Sequence, residues 1–365
     1  MERAGAQAAH LIATALGLPP AGHAIVLAGS GDNGGDARIV ARCLGSWGWR
    51  VELLETAADP RSATLTRGRL RPESVADSDD EHLAARLAAA DVLVDGMLGT
   101  GASGELRGEV LRAARGVAAC VDHARPLVVA LDVPTGVNAD RGDTVPSAIR
   151  ADATIAFGWP KLGTLLHPGR AHSGRILAVE IGFPPLSEAG APTVTWSMLS
   201  AGWASSCLPV RSPDTHKNAA GAVLVVAGSE GMAGAAILAG RAALRTGAGY
   251  LRVASVASNR ETIQAALPEA VWVDRSDADE LCAALAASGA IVVGPGMGTD
   301  DDAGGILTAV LQGGVPSIVD ADALTLLAAG EVAPLPPGSV LTPHPGEAAR
   351  LLGTDAAAVQ VDRLQ

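Results

Sequence analysis

Residues 28–42 read AGSGDNGGDARIVAR and follow the apolar run His23-Ala-Ile-Val-Leu. Gly29, Gly31 and Gly34 keep the G-x-G-x-x-G spacing found after the first strand of dinucleotide-binding folds. Glu52 and Glu55 stand about twenty residues on, where a ribose-binding acid belongs. Asp32 and Asp36 fit that picture poorly, because two carboxylates repel a pyrophosphate. Three more stretches combine glycines with an acid or a strand end: VDGMLGTGASGELRG with Asp95, LDVPTG with Asp132 and Thr135, and FGWPKLG from Phe157 to Gly163. Singly, each has an ordinary explanation, a tight turn for the glycines and a helix N-cap for the Asp. At several strand ends along one sheet edge, they make a site. Asn33, Asp95 and the Thr135 hydroxyl offer hard oxygen ligands to a cation, whose charge would relieve the crowded carboxylates. Asp132 would then be free for acid–base work.

Such loops need strands to hold them. In the first half the apolar runs 24–28, 50–55, 92–97, 127–132, 153–157 and 176–181 predict strands. Helical patterns cover 2–16, 35–47, 80–89 and 108–123. A second series begins after residue 210, with strands over 222–227, 250–254, 290–294 and 317–320 and helices over 232–246, 277–287, 304–312 and 323–329. This alternation predicts α/β domains with parallel sheets covered on both faces. GFPPLSEAGAP (182–192) reads as a linker, which gives domains 1–188 and 189–365.

The whole chain narrows the function. Its 365 residues suit two domains, 48% hydrophobic content argues against disorder, and a net charge of −12 argues against a nucleic-acid surface. Cys43, Cys120, Cys207 and Cys282 are too scattered to form a C-x-x-C pair and read as free thiols of a reducing compartment. No apolar run approaches the roughly 18 residues of a membrane span, and the first residues lack a basic leader region. A cytoplasmic protein without membrane or nucleic-acid partners is expected.

GSGDNGGDARIVAR, VDGMLGTGASGELRG, ALDVPTGVNADRGD and FGWPKLGTLLHPGRAHSGRILAVEIGFP occur in the order of the signatures of the NAD(P)H-hydrate epimerase family, the YjeF N-terminal domain, which residues 1–185 resemble. The resemblance implies a Rossmann-like three-layer domain. It also implies epimerisation of NADHX and NADPHX, the hydrated dinucleotides with a hydroxyl on C6 of the nicotinamide ring. Asp32, Asn33, Gly34, Gly35 and Asp36, together with Gly99, Thr100, Gly101, Ala102, Ser103, Gly104 and Glu105, would line the substrate. Asn33, Asp95 and Thr135 would hold K+, and Asp132 would contact the ring and assist departure of the hydroxyl. Two positions depart from the family pattern: Asp32 replaces the first Asn of its Asn-Asn pair, and Thr135 replaces its Ser. Relatives of this kind suggest a homo-oligomer.

The second half carries GMAGAA, RTGAG, GPGMG, DADAL and TPHPGE, in the order of the NAD(P)H-hydrate dehydratase family, a ribokinase-like α/β fold. That resemblance implies expulsion of the C6 hydroxyl at the cost of ADP, with Mg2+, and contacts to the hydrate from Ala235, Gly296 and His344. His344 lies between two prolines, so a loop position with an exposed ring is expected. The family's Lys-Gly loop and G-T-G-D motif do not occur in these residues. The expectation is therefore an incomplete dehydratase half, inactive and less stable than the first half. A ribokinase-like small-molecule kinase, an NAD-dependent oxidoreductase and a non-enzymatic scaffold are the competing readings. The four polar residues Asn33, Asp36, Asp95 and Asp132 favour catalysis over a scaffold.

Overall fold

The computed structural model describes residues 1–120, 126–183, 197–208, 210, 221–330, 334–361 and 363. The linker expected over 182–192 falls outside these from residue 184 on, as do the end of the helix expected over 108–123 and the segment 211–220. Two compact units divide the chain, Met1–Thr195 and Trp196–Gln365.

In the first unit seven strands form one sheet: β1 His23–Ala28, β2 Arg50–Glu55, β3 Glu73–Ser74, β4 Val92–Gly96, β5 Leu127–Leu131, β6 Ala153–Phe157 and β7 Arg175–Val179. Their order is β3-β2-β1-β4-β5-β6-β7, and every pair is parallel. Strand side chains alternate between two cores because successive residues point to opposite faces. Ala24, Val26 and Ala28 of β1 join one core, which includes Ala8, Ile12, Val40 and Leu44 from helices Glu2–Ala15 and Asp32–Ser46. Ile25 and Leu27 join the other, with Leu83, Leu87, Ala113 and Val117 from helices Asp80–Ala88 and Gly108–Ala119. This is the expected three-layer arrangement.

The second unit repeats the scheme. Its strands are β8 Ala222–Val226, β9 Tyr250–Ser255, β10 Val271–Asp274, β11 Ala290–Val293, β12 Ser317–Val319 and β13 Val340–Leu341, all parallel in the order β10-β9-β8-β11-β12-β13. β10 and helices Ala201–Cys207, Arg260–Ala266 and Pro345–Leu352 were not expected. The first three are too short for a hydrophobic period to register, and the last begins in a Pro-His-Pro run that reads as loop.

One boundary matters for function. The helix expected from Gly35 begins at Asp32, with Gly31 as its N-cap. Gly34, a poor helix former, is demanded there by backbone packing, while Gly35 lies beside the tip of the Met1 side chain. A Cβ on Gly34 would lie 1.9 Å from the Gly29 carbonyl oxygen, and one on Gly35 2.7 Å from Met1 Sδ.

Candidate active site

In a parallel sheet ligands sit beyond the carboxyl ends of the strands, at the point where the strand order reverses. Here that point lies between β1 and β4. The loops after these strands touch so closely that a Cβ on Gly29 would lie 1.9 Å from the Met97 carbonyl oxygen. A cavity of about 540 Å³ opens over them, lined by residues 29–33, Asp36, Thr56, Ala57, residues 97–102, Val110, Asp132 and Phe157. A second cavity, of about 680 Å³, shares Leu98, Gly99, Gly101, Ala102 and Val110 with the first and takes in Ser103, Gly104 and Glu105. Both sizes suit a small-molecule ligand.

Asn33 stands in the first turn of its helix and is 7% exposed. Its Nδ2 donates to the carbonyls of Leu98 (2.6 Å) and Leu131 (3.0 Å), which fixes the amide orientation and leaves Oδ1 buried without a partner. Asp95, at the end of β4, accepts from Thr135 N (2.8 Å), Thr135 Oγ1 (2.7 Å) and Met97 N (3.2 Å). Thr135 Oγ1 in turn accepts from Leu98 N (3.2 Å). Leu98 thus ties the amide, the carboxylate and the hydroxyl into one buried cluster of oxygens. Burial lifts the Asp95 carboxyl to about 6 against the pull of its Thr135 and Met97 hydrogen bonds.

Asp132 follows β5 with φ +64°, a left-handed conformation that Asp tolerates better than most residues. Its Oδ1 accepts from Phe157 N (3.0 Å) and from the Lys161 ammonium, which also donates to Phe157 O (2.9 Å). Asp36 is 8% exposed, with Oδ1 buried and unpartnered and the Met1 ammonium 4.0 Å away. Burial raises its carboxyl to about 7, and the charges of Asp132 and Asp32 add to this while the Met1 ammonium and Arg61 oppose it.

Several expected residues stand elsewhere. Gly34 and Gly35 are outside the cavity lining and serve helix packing. Asp32 lines the cavity, but its side chain is 86% exposed and pairs with Arg61 at 2.9 Å. An acid in the first turn of a helix is favoured by the helix dipole. Glu52 is bound through both oxygens by His23 and Arg86, and Glu55 holds Arg38 and Ser62 on Oε1. Neither lines either cavity, so the dinucleotide-cradle reading finds no ribose-binding acid there. Lys161 escaped notice in the sequence; the only signal for it was a lysine just beyond the β6 strand end in FGWPKLG.

In the second unit, Gly296 has φ +59°, and a Cβ there would lie 3.1 Å from the Ala235 Cβ, so these two expected residues are neighbours. His344 follows β13, two strands from the Gly296 loop after β11. Its ring is exposed as expected, yet it caps helix Pro345–Leu352 by accepting from Gly346 N and Glu347 N. Among the described residues no three His, Cys, Asp or Glu side chains gather as a metal site. No helix among them is long and apolar enough to cross a membrane.

Two doubly wound parallel sheets, with glycine turns and acids at their carboxyl edges, define a class of nucleotide-handling α/β proteins. Comparison with known proteins narrows the class. Residues 1–163 match the family described as YjeF-related protein N-terminus, and residues 223–365 the NAD(P)H-hydrate dehydratase family. Bifunctional NAD(P)H-hydrate repair enzymes from Thermofilum pendens and Escherichia coli are 33% and 35% identical to it. Both align over 100% of this chain, and it covers 71% and 69% of theirs. The relative of that name from Moorella thermoacetica is 36% identical, over 93% of this chain and 68% of its own. An ADP/ATP-dependent NAD(P)H-hydrate dehydratase structure from Bacillus subtilis is 32% identical over 44% of this chain and 58% of its own, with a TM-score of 0.39. The chain belongs to the bifunctional NAD(P)H-hydrate repair enzyme family, and it is an enzyme of nicotinamide-nucleotide repair.

Proposed function

We propose that the first unit interconverts the R and S forms of NADHX and NADPHX in the cavity at the β1/β4 switch point. One observation carries the reading: Asp132, held at φ +64° by the turn after β5, lines the same cavity as the loops after β1 and β4. The C6 carbon of a hydrated ring bears a hydroxyl and is bonded to the ring nitrogen, whose lone pair can expel it. Water returning from the opposite face inverts the centre, with no redox step. The ring is placed against Asp132, and the rest of the dinucleotide along residues 99–105, which border both cavities.

A K+ ion fits the buried oxygen cluster. Asn33 Oδ1 is an orphaned acceptor whose orientation is fixed, and the Asp95 carboxylate and Thr135 hydroxyl stand with it around Leu98. Bound there, the ion would supply positive charge for the carboxylates and hold the Leu98–Ala102 loop against the β1 loop.

For the second unit the reading is hydrate dehydration with ADP and Mg2+ as co-substrate, the hydrate lying against Ala235 and Gly296. Among the described residues, no orphaned polar side chain at those strand ends marks a place for the phosphates.

Incubation of the full chain with one pure epimer of NADHX tests both readings. Equilibration without ADP supports the first, and ADP-dependent recovery of NADH supports the second. An epimer ratio unchanged from an enzyme-free control removes the first.

A further inference from the structure

Epimerisation at C6 makes two opposite demands on one cavity. An anion must face the positive ring formed when the hydroxyl leaves, and a proton must reach that hydroxyl. Of the acids lining or flanking the cavity, two are committed elsewhere. Asp32 is exposed and paired with Arg61, and both oxygens of Asp95 accept hydrogen bonds from Thr135 or Met97. Asp132 and Asp36 remain, and their surroundings differ in kind.

Among the described residues, every hydrogen bond to the Asp132 side chain falls on Oδ1, from the Phe157 amide and the Lys161 ammonium. Lys161 is itself anchored on the Phe157 carbonyl, so its charge is fixed in place. The ammonium on Oδ1 sets a positive charge beside the carboxylate and leaves Oδ2 for the ligand. Asp36 has no such donor on Oδ1, which is buried. The groups facing it are the Met1 ammonium, Asp132, Asp32 and Arg61. With burial the largest influence, they leave its carboxyl at about 7. Two carboxyls in one cavity, one held by an ammonium and the other buried without a donor, suit the roles of anion and acid.

We propose that Asp36 is the acid–base residue of this site, while Lys161 is a positioning residue that keeps Asp132 as the anion facing the ring. This rests on the epimerase reading above. The C6–O bond breaks with the ring-nitrogen lone pair, forming the iminium N+=C6, as the Asp36 proton passes to the departing oxygen and water is released. Water then adds to C6 from the other face, the electron pair returns to nitrogen, and the surplus proton returns to Asp36. No oxidant or reductant takes part.

The test is the rate of R/S equilibration of a single NADHX epimer by the full chain, from about pH 5.5 to about pH 9, with the enzyme-free rate subtracted. The unmodified chain is expected to lose kcat as one ionisation while pH rises through about 7. Asp36→Asn is expected to lower kcat by about 100-fold or more with little change in KM, and to abolish that fall. Lys161→Met should lower kcat by about 10-fold while keeping the fall through about 7, and Lys161→Arg should restore most of the rate. A flat profile for the unmodified chain overturns the assignment, and decides the matter even if Asp36→Asn does not fold. So does an Asp36→Asn rate within about fivefold of the unmodified chain with the same fall. An unmodified chain that equilibrates nothing refutes the epimerase reading itself.

Discussion

Asp132 owes its place to a residue-scale contortion. A left-handed turn directly after β5 swings its carboxyl to where the β6 loop can bind it. Replacement by Asn keeps the size and the turn but removes the charge. Asp132→Asn is expected to lower R/S interconversion by about 100-fold or more, measured by chromatographic separation of the epimers. Asp36 gives a prediction for stability. Its folded carboxyl lies at about 7 against an ordinary 3.8, so between those values the folded state holds a proton that the unfolded state has lost. The folded state is therefore progressively destabilised as pH rises through this window, and the effect levels off above about 7. The Tm advantage of Asp36→Asn over the unmodified chain should grow from about pH 5 to about pH 8, read by thermal melts. At Thr135, loss of the hydroxyl in Thr135→Val leaves Asp95 Oδ1 and Leu98 N each short of a partner, at a cost of about 1–3 kcal/mol. It should also abolish any rise of Tm with added K+, which Thr135→Ser retains. These residues were visible in the sequence as strand-end acids and a turn hydroxyl. Lys161 was not, because a single lysine near a strand end carries no spacing that links it to an Asp 29 positions away.

At the scale of elements, the site exists because two backbones meet. Gly29 ends the β1 turn against Met97, and Gly34 lets the first turn of the following helix lie on Gly29. Gly29→Ala would force a Cβ to 1.9 Å from a carbonyl oxygen, which backbone movement alone can relieve. A destabilisation of about 3 kcal/mol and loss of the oxygen cluster are expected, checked by denaturant unfolding. The long strands were legible because their apolar runs are nearly continuous, as burial on both faces requires. The helix start was not. Two glycines at its first turn look like loop, and only the close approach of Gly29 and Met1 explains why they are helical. The Glu52 and Glu55 spacing likewise suggested a ribose contact, yet neither side chain lines either cavity.

At the scale of the molecule, two compact units correspond to two family matches in the same order. The motif order made this division legible, since no single glycine turn carries it. What the pattern could not give is how the loops interlock, which depends on strand order, and strand order is a property of the closed sheet. Epimerisation by the first unit, through Asp132, is the proposal on which the rest depends. It is tested most directly by giving the full chain one pure epimer of NADHX and following the approach to the R/S mixture without ADP. Equilibration well above the enzyme-free rate is expected, with near-complete loss in Asp132→Asn. Equal rates for the two proteins, or no equilibration by either, would contradict it.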